Sequence, residues 1–197
     1  MTNFGYTLLD GHSFSHELYA IESIRTTDAL PIMKWRNDQI DSLRQKKPLS
    51  SVEQNQYFEN TVENEFLKER PNPLLVRFTS KERLIGYGGL VHIDWNLKIG
   101  EVSFLLETQR AKKQVTYCQD LTVFMVLIKK LAFDYLDFHK ITTESYAHRS
   151  FHVETIEKCG FTREGVLRNH AKVGDSWVDA VLCSCLQTEY KSKTLNI

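Results

Sequence analysis

The sequence predicts an α/β (α+β) fold: one domain with a mixed central sheet of about seven strands and helices on both faces. Three observations carry this. Runs rich in β-branched and aromatic residues, LLVRFTS, LIGYGGLVHIDW and IGEVSFLLE, are separated only by KER and NLK, the spacing of an antiparallel meander. Two longer stretches, SVEQNQYFENTVENEFLKE and LTVFMVLIKKLAFDYLDF, repeat their apolar residues at helical spacing instead. The order along the chain, β, α, α, β, β, β, α, β, α, β, β, contains no internal repeat, low-complexity run or linker. The 197 residues therefore read as a single domain, with a core over about 16–188 between short polar tails.

Each element has its local reason. HELYAIESI, His16 to Ile24, alternates and carries aromatic and β-branched residues, as a strand does. TTDALPIMKWRND reads as a short helix capped by Thr27 or Asp28, with Pro31 in its first turn. After the basic loop LRQKKPLS, Ser50 or Ser51 caps a longer helix whose stripe is Val52, Tyr57, Phe58, Val62, Phe66 and Leu67; Pro71 and Pro73 close it. The meander follows, and GYGG inside it, Gly86 to Gly89, reads as a bulge or close packing rather than a nucleotide loop.

TQRAKKQVTYCQDLT, Thr108 to Thr122, then joins a strand to a helix, a junction where many folds hold a phosphate, yet it contains no glycine. The helix is expected from about Leu121, with Asp120 as its natural N-cap. Its apolar set, Leu121, Phe124, Met125, Ile128, Leu131, Ala132, Tyr135 and Leu136, exceeds one stripe and implies burial on much of its circumference. KITTESYA is a strand, SFHVETIEKCG a helix stopped by Gly160, and FTREGVLRNHAK with WVDAVLCSCL a hairpin across VGDS.

Composition narrows the partners. Lys plus Arg and Asp plus Glu number 25 each, so no overall field gathers nucleic acid or an anionic membrane, and any anion site is local. The opening MTNFGYTLLDGHSF lacks the basic start and apolar core of a signal peptide. The longest mainly apolar run, Leu121 to Ile128, is far short of the ~20 residues that span a bilayer. A cytoplasmic protein with a small-molecule partner is expected. Cys118, Cys159, Cys183 and Cys185 show no framework spacing and read as buried thiols. His148 and His152 would share a helix face, but no third ligand, HExxH or CxxC accompanies them, so no metal is expected.

The end of the chain, GFTREGVLRNHAKVGDSWVDAVLCSCL from Gly160 to Leu186, resembles the GNAT superfamily of acyl-CoA-dependent N-acyltransferases. The matching positions are Gly160 and Phe161, Glu164 and Gly165, Arg168, the turn glycine Gly174, and Asp179. WRN at Trp35 to Asn37 is similar to the ribosomal-protein N-terminal acetyltransferases and to the nucleotide-amino-sugar acetyltransferases. The resemblance covers roughly Leu18 to Leu186. It implies transfer of acetyl from acetyl-CoA to the primary amine of a small acceptor, with a nucleotide-linked amino sugar as one such acceptor. Acetylation of protein N-termini is the alternative within the class. A GNAT-like binding module with a degenerate CoA site is the alternative of another class, and a homodimer is among the assemblies to be expected.

The resemblance also assigns positions. CoA would lie where IGEVSFLLE and KITTESYA part, with its pyrophosphate at the start of the following helix. Counted back from Phe133, the family's glycine slots fall on Tyr117 and Gln119, whose side chains restrict close backbone approach, and Asp120 would repel phosphate. Arg110, Lys112 and Lys113, with Lys158 or Arg149, would replace part of that cradle by side-chain charge. The slot of a CoA-contacting asparagine is Arg149, His152 stands where serine is common, and the slot of a proton-donating tyrosine is Ile156. Backbone N–H groups of Ser103, Phe104 and Leu105 would polarise the thioester carbonyl. Glu101 is the leading general base, followed by His92 and Asp94 on a shared strand face, with His170 weaker. Trp35, Arg36, Asn37 and Arg44, with Lys46 and Lys47 beyond, would bind the acceptor; two lysines and guanidinium groups beside aromatics suit a phosphorylated one, and an acidic polyamine-type pocket is not evident.

Overall fold

The computed structural model describes residues 5–194; the extreme ends of both polar tails, including the first residues of the stretch read for a leader, lie outside the described residues. The chain forms one mixed sheet of eight strands in the order β1-β2-β3-β4-β5-β6-β8-β7. These are β1 (Phe14–His16), β2 (Tyr19–Ser23), β3 (Leu74–Ser80), β4 (Arg83–Asp94), β5 (Ile99–Leu106), β6 (Lys140–Tyr146), β7 (Thr162–Val173) and β8 (Ser176–Leu186). Where the sequence predicts one strand over His16 to Ile24, the chain turns at Glu17, with φ 52, and makes a short hairpin of β1 and β2, which supplies the eighth strand.

All neighbours are antiparallel except β5 and β6, a pair joined by the helical crossover that a parallel pairing requires. Their pairing is short: Ile99, Gly100 and Glu101 lie opposite Lys140, Ile141 and Thr142, and beyond these residues the strands part.

The helices are α1 (Ala29–Asp38), α2 (Ser51–Tyr57, continuing through a π-helical turn Phe58–Val62), the single turn α3 (Thr108–Ala111), α4 (Gln114–Lys129, ending in a π-helical turn Lys130–Tyr135), α5 (Ser150–Lys158) and α6 (Gln187–Thr194). Strand alternation assigns them to two faces. Leu75, Tyr87 and Ser103 line a hollow under α1 and α2. Phe78 and Phe104, of the other parity, pack their rings on Phe124 of α4 at 5.5 and 4.8 Å. The GYGG stretch belongs to this packing: a Cβ at Gly88 would run into the Ser103 carbonyl and the Phe124 ring, and Gly89, at φ +135, lies against the Leu74 carbonyl.

Ser50 is the cap of α2: its Oγ accepts from Glu53 N–H at 3.2 Å while the Glu53 carboxylate accepts from Ser50 N–H at 2.8 Å. The long helix departs from expectation. It begins at Gln114 rather than near Leu121, so with the single turn α3 nearly all of the glycine-free stretch is helical and Asp120 is not its cap. Asp120 is fully buried within α4, and Arg110 donates to it twice, at 2.7 and 2.8 Å, with Tyr19 donating at 3.1 Å. A carboxylate compensated in this way can sit inside a helix, and the seven residues QVTYCQD extend the helix by nearly two turns.

Candidate active site

The parting of β5 and β6 opens a gap through the sheet. A hollow of about 230 Å³ fills it, bordered by Glu101, Ser103 and Glu144 on the α1 side and by Phe104, His152 and Ile156 on the α4–α5 side. Ser42 and Arg149 are shared with a second hollow of about 380 Å³ at the start of α4, where Asp38, Thr108, Lys112 and Tyr117 form the walls. On the other flank, Arg44, Glu144 and Tyr146 are shared with a larger hollow of about 770 Å³, between the Ile40–Lys46 stretch and the turn of the β7–β8 hairpin. The three run on from one another, the form expected for a long donor and a separate acceptor meeting at the gap.

At the meeting point stands a five-membered charge cluster. Glu101 on β5 and Glu144 on β6 face each other across the gap, and Arg44 bridges them at 2.9 and 3.0 Å. His92 Nδ1 lies 3.0 Å from the second oxygen of Glu101, and His170 Nε2 lies 3.4 Å from Glu144. Burial works against the Arg44 charge, but the two carboxylates outweigh it and hold its pKa above the ordinary value. Glu101 keeps 19% of its side chain exposed, enough for an amine or a water to reach it.

His92 reaches Glu101 because a bulge between Val91 and Asp94 breaks the strand alternation, with His92 at φ 49. The same bulge separates it from Asp94, so the shared face expected of them does not form: Asp94 accepts the N–H groups of Asn96 and Leu97 at 2.9 Å and closes the β4–β5 turn. Ser103, Phe104 and Leu105 lie on β5 beyond its last pairing with β6, so their strand borders the gap on that edge.

At the start of α4 the expected cradle is rearranged. Tyr117 N–H donates to Lys113 O at 2.8 Å, the first bond of the helix, so the unpaired first-turn N–H groups belong to Gln114, Val115 and Thr116. The glycine slots counted back from Phe133 lie too far into the helix: Tyr117 points into the core and Gln119 is exposed, lining none of the hollows described. Arg110 is committed to Asp120, an interaction that raises its pKa, and is not a free phosphate ligand. Lys112 borders the hollow and Lys113 sits at the N-cap position of α4.

Behind that hollow, buried Tyr117 and His152 form a chain with half-buried Arg149. Arg149 donates to the Tyr117 hydroxyl at 2.7 Å, and that hydroxyl lies 2.8 Å from His152 Nδ1. Burial raises the Tyr117 pKa although Arg149 opposes it, and burial with the Arg149 charge pushes His152 down to about 3, so His152 is neutral.

The WRN segment divides by role. Trp35 is buried in the core. Arg36 borders the gap and donates to the Tyr87 hydroxyl at 2.7 Å and to Gln45 at 3.0 Å. Asn37 donates to Leu49 O at 2.8 Å and accepts from Leu49 N–H and Gln45, so it pins the loop that carries Arg44. Lys47 is paired with Glu53 at 2.8 Å, whereas Lys46 borders the large hollow. The tail motif is structural: Glu164 accepts from Lys140 and Ser184 at 2.6 Å, and Asp179 accepts Asn169 N–H at 2.8 Å.

Sequence reasoning missed Glu144, Tyr146, Tyr87 and Gln45. Glu144 alternates with Thr142 in KITTESYA, a signal that becomes readable only once Thr142 is known to pair with Glu101. Among the described residues, no helix is long and apolar enough to cross a membrane, and no group of three or more His, Cys, Asp or Glu is placed to hold a metal ion.

The gap fits an acyl-CoA in three respects: an open strand edge beyond Glu101, a helix start with unpaired N–H groups, and Lys112 with Arg149 beside them. Known proteins agree. A family model described as an acetyltransferase (GNAT) domain matches residues 21–182. A search of curated protein sequences finds no match. Among solved structures, spermidine N-acetyltransferase from Vibrio cholerae in complex with CoA and spermine superposes with a TM-score of 0.73 at 16% identity, covering 89% of this chain and 99% of that one. A probable acetyltransferase gives 0.69 at 18% identity, covering 90% and 98%. A dodecameric form of the Vibrio cholerae enzyme gives 0.69 at 17%, covering 90% and 99%. The match over 21–182, most of the domain, places this chain in the GNAT family, as an N-acetyltransferase whose acyl donor is acetyl-CoA.

Proposed function

We propose that the chain acetylates the primary amine of a small acceptor, that Glu101 takes the ammonium proton, and that the acceptor is a nucleotide-linked amino sugar. The carrying observation is the large hollow that opens at Glu144 and Arg44, next to the gap that Glu101 lines. At the amine end, two carboxylates favour a cationic nitrogen, and Glu101, partly exposed and held by His92 and Arg44, can accept its proton directly or through water. At the far end, Lys46 and Lys172 offer charge to phosphates, and the Trp177 side chain, 63% exposed, offers a face on which a base can stack.

Acetyl-CoA supplies the activated acetyl group. Its binding would fall to the first-turn N–H groups of α4, Lys112 and Arg149 at one end, and to the β5 edge over Ser103, Phe104 and Leu105 at the other. Cys118, Cys159, Cys183 and Cys185, all reduced, support a cytoplasmic setting.

A second reading rests on the carboxylate pair itself: Glu101 and Glu144 would equally seat a polyamine, the substrate class named for the Vibrio cholerae neighbours. Thiol release measured with acetyl-CoA across nucleotide amino sugars, free amino sugars, polyamines and peptide N-termini tests the choice. Turnover on the nucleotide-linked sugar well above the free sugar is expected. Equal rates on both sugars, or a preference for polyamines or peptides, would reject the nucleotide reading.

A further inference from the structure

Tyr117, Arg149 and His152 form a polar chain at the α4–α5 packing, of which the acetyl transfer described so far uses only Arg149. Two phenylalanine-sized side chains would fill the same volume without desolvating a phenol and an imidazole. The hydrogen bonds decide where each proton lies. A guanidinium can only donate, so the Tyr117 oxygen, 2.7 Å from Arg149, accepts there. The single hydrogen of that hydroxyl then points to His152 Nδ1 at 2.8 Å. A neutral imidazole that accepts at Nδ1 carries its proton on Nε2. The structure records no protein partner for Nε2, and the ring borders the β5–β6 gap beside Ile156, which has no proton to give. At the same gap the Tyr146 hydroxyl donates to Leu43 O at 3.3 Å, and Glu101 and Glu144 are paired with Arg44.

We propose that His152 Nε2–H is the proton donor to the departing sulfur of the acyl donor, with Tyr117 and Arg149 as positioning residues that recharge it. This rests on the acetyl-transfer reading above. As the carbon–sulfur bond breaks, its electron pair goes to sulfur, and His152 transfers the Nε2 proton to form the thiol. Tyr117 passes its hydroxyl proton to Nδ1, so the imidazole never carries a charge. The resulting phenolate faces the Arg149 guanidinium; once the thiol has left, a solvent proton taken up at Nε2 from the gap lets the Nδ1 proton return to the phenolate, which restores both groups. Glu101 passes the ammonium proton to solvent and then takes the second N–H proton as the amide forms, so two protons leave nitrogen, one is taken up for the thiol, and one is released overall.

Histidine ¹⁵N NMR on the full chain tests the wiring without any donor bound. His152 is expected as the Nε2–H tautomer, with mixed tautomers in Tyr117→Phe; an Nδ1–H tautomer in the wild type overturns the proposal. Kinetics test the role. His152→Gln is expected to lower kcat with acetyl-CoA by about 100-fold, with its KM within about threefold of wild type. With the acetyl thioester of 4-nitrothiophenol, whose thiolate leaves without a proton, the variant and wild type should differ by less than about threefold. An equal loss on both donors would assign His152 a structural role only and overturn the proposal. Tyr117→Phe, which keeps the ring packing, repeats the comparison if His152→Gln does not fold. A wild type inactive on every acceptor would reject the acetyl-transfer reading, whereas an active wild type whose variants show no dependence on the leaving thiol rejects the proton donor alone.

Discussion

Arg110→Ala separates a structural arginine from a phosphate ligand. The Asp120 side chain is 1% exposed and takes two charge-assisted bonds from Arg110, at 2.7 and 2.8 Å. Truncating Arg110 leaves that carboxylate with the Tyr19 hydroxyl at 3.1 Å. Breaking one side of a buried ion pair costs about 3–5 kcal/mol. For a chain of this size about 3–5 kcal/mol lowers Tm by roughly 6–20 °C. Urea unfolding followed by circular dichroism should show the loss as a shifted midpoint at unchanged m-value. The double variant Arg110→Met/Asp120→Leu should recover most of it, because a packed apolar pair needs no compensating charge. A loss below about 1 kcal/mol, accompanied by weakened acetyl-CoA binding in calorimetry, would refute this reasoning and return Arg110 to the phosphates.

Other outcomes are expected from the same geometry. Glu101→Gln should lower kcat by about 100-fold and leave acetyl-CoA affinity unchanged; a wild-type pH–rate profile in the variant would remove Glu101 as the base. Lys112→Ala with Lys113→Ala should weaken acetyl-CoA binding by roughly tenfold, and more at low ionic strength; equal affinity at every salt concentration would exclude the two lysines from the donor site. His152 has a folded pKa of about 3, below its ordinary 6.5, so between those values the unfolded chain binds the extra proton. Its contribution is therefore complete above about pH 6.5 and falls as pH drops toward 3, at up to about 1.4 kcal/mol per unit. The stability difference between wild type and His152→Gln should slope across that window, and a flat difference would mean that His152 is not buried neutral.

How much of this was readable before folding depends on the range of each interaction. The meander, the Ser50 cap, the Gly160 stop and the two-faced burial of the strands follow from period and local hydrogen bonding, which act over a few residues. The tail motif and WRN identified the family, although Asn37, Glu164 and Asp179 turn out to hold loops and strands together. The start of α4 was misplaced because Asp120 has the chemistry of a cap when read locally, and only its pairing with Arg110 lets a carboxylate lie inside the helix. By itself, then, the sequence determined most element types and the layer order, since propensity and periodicity need no distant partner, and its tail motif carried the resemblance to the family. Tertiary structure alone decided which charges are free. Arg44 meets Glu101 and Glu144, and Tyr117 meets Arg149 and His152, only because β5 and β6 part where α4 and α5 close over them, and a buried or paired charge takes its chemistry from what it touches.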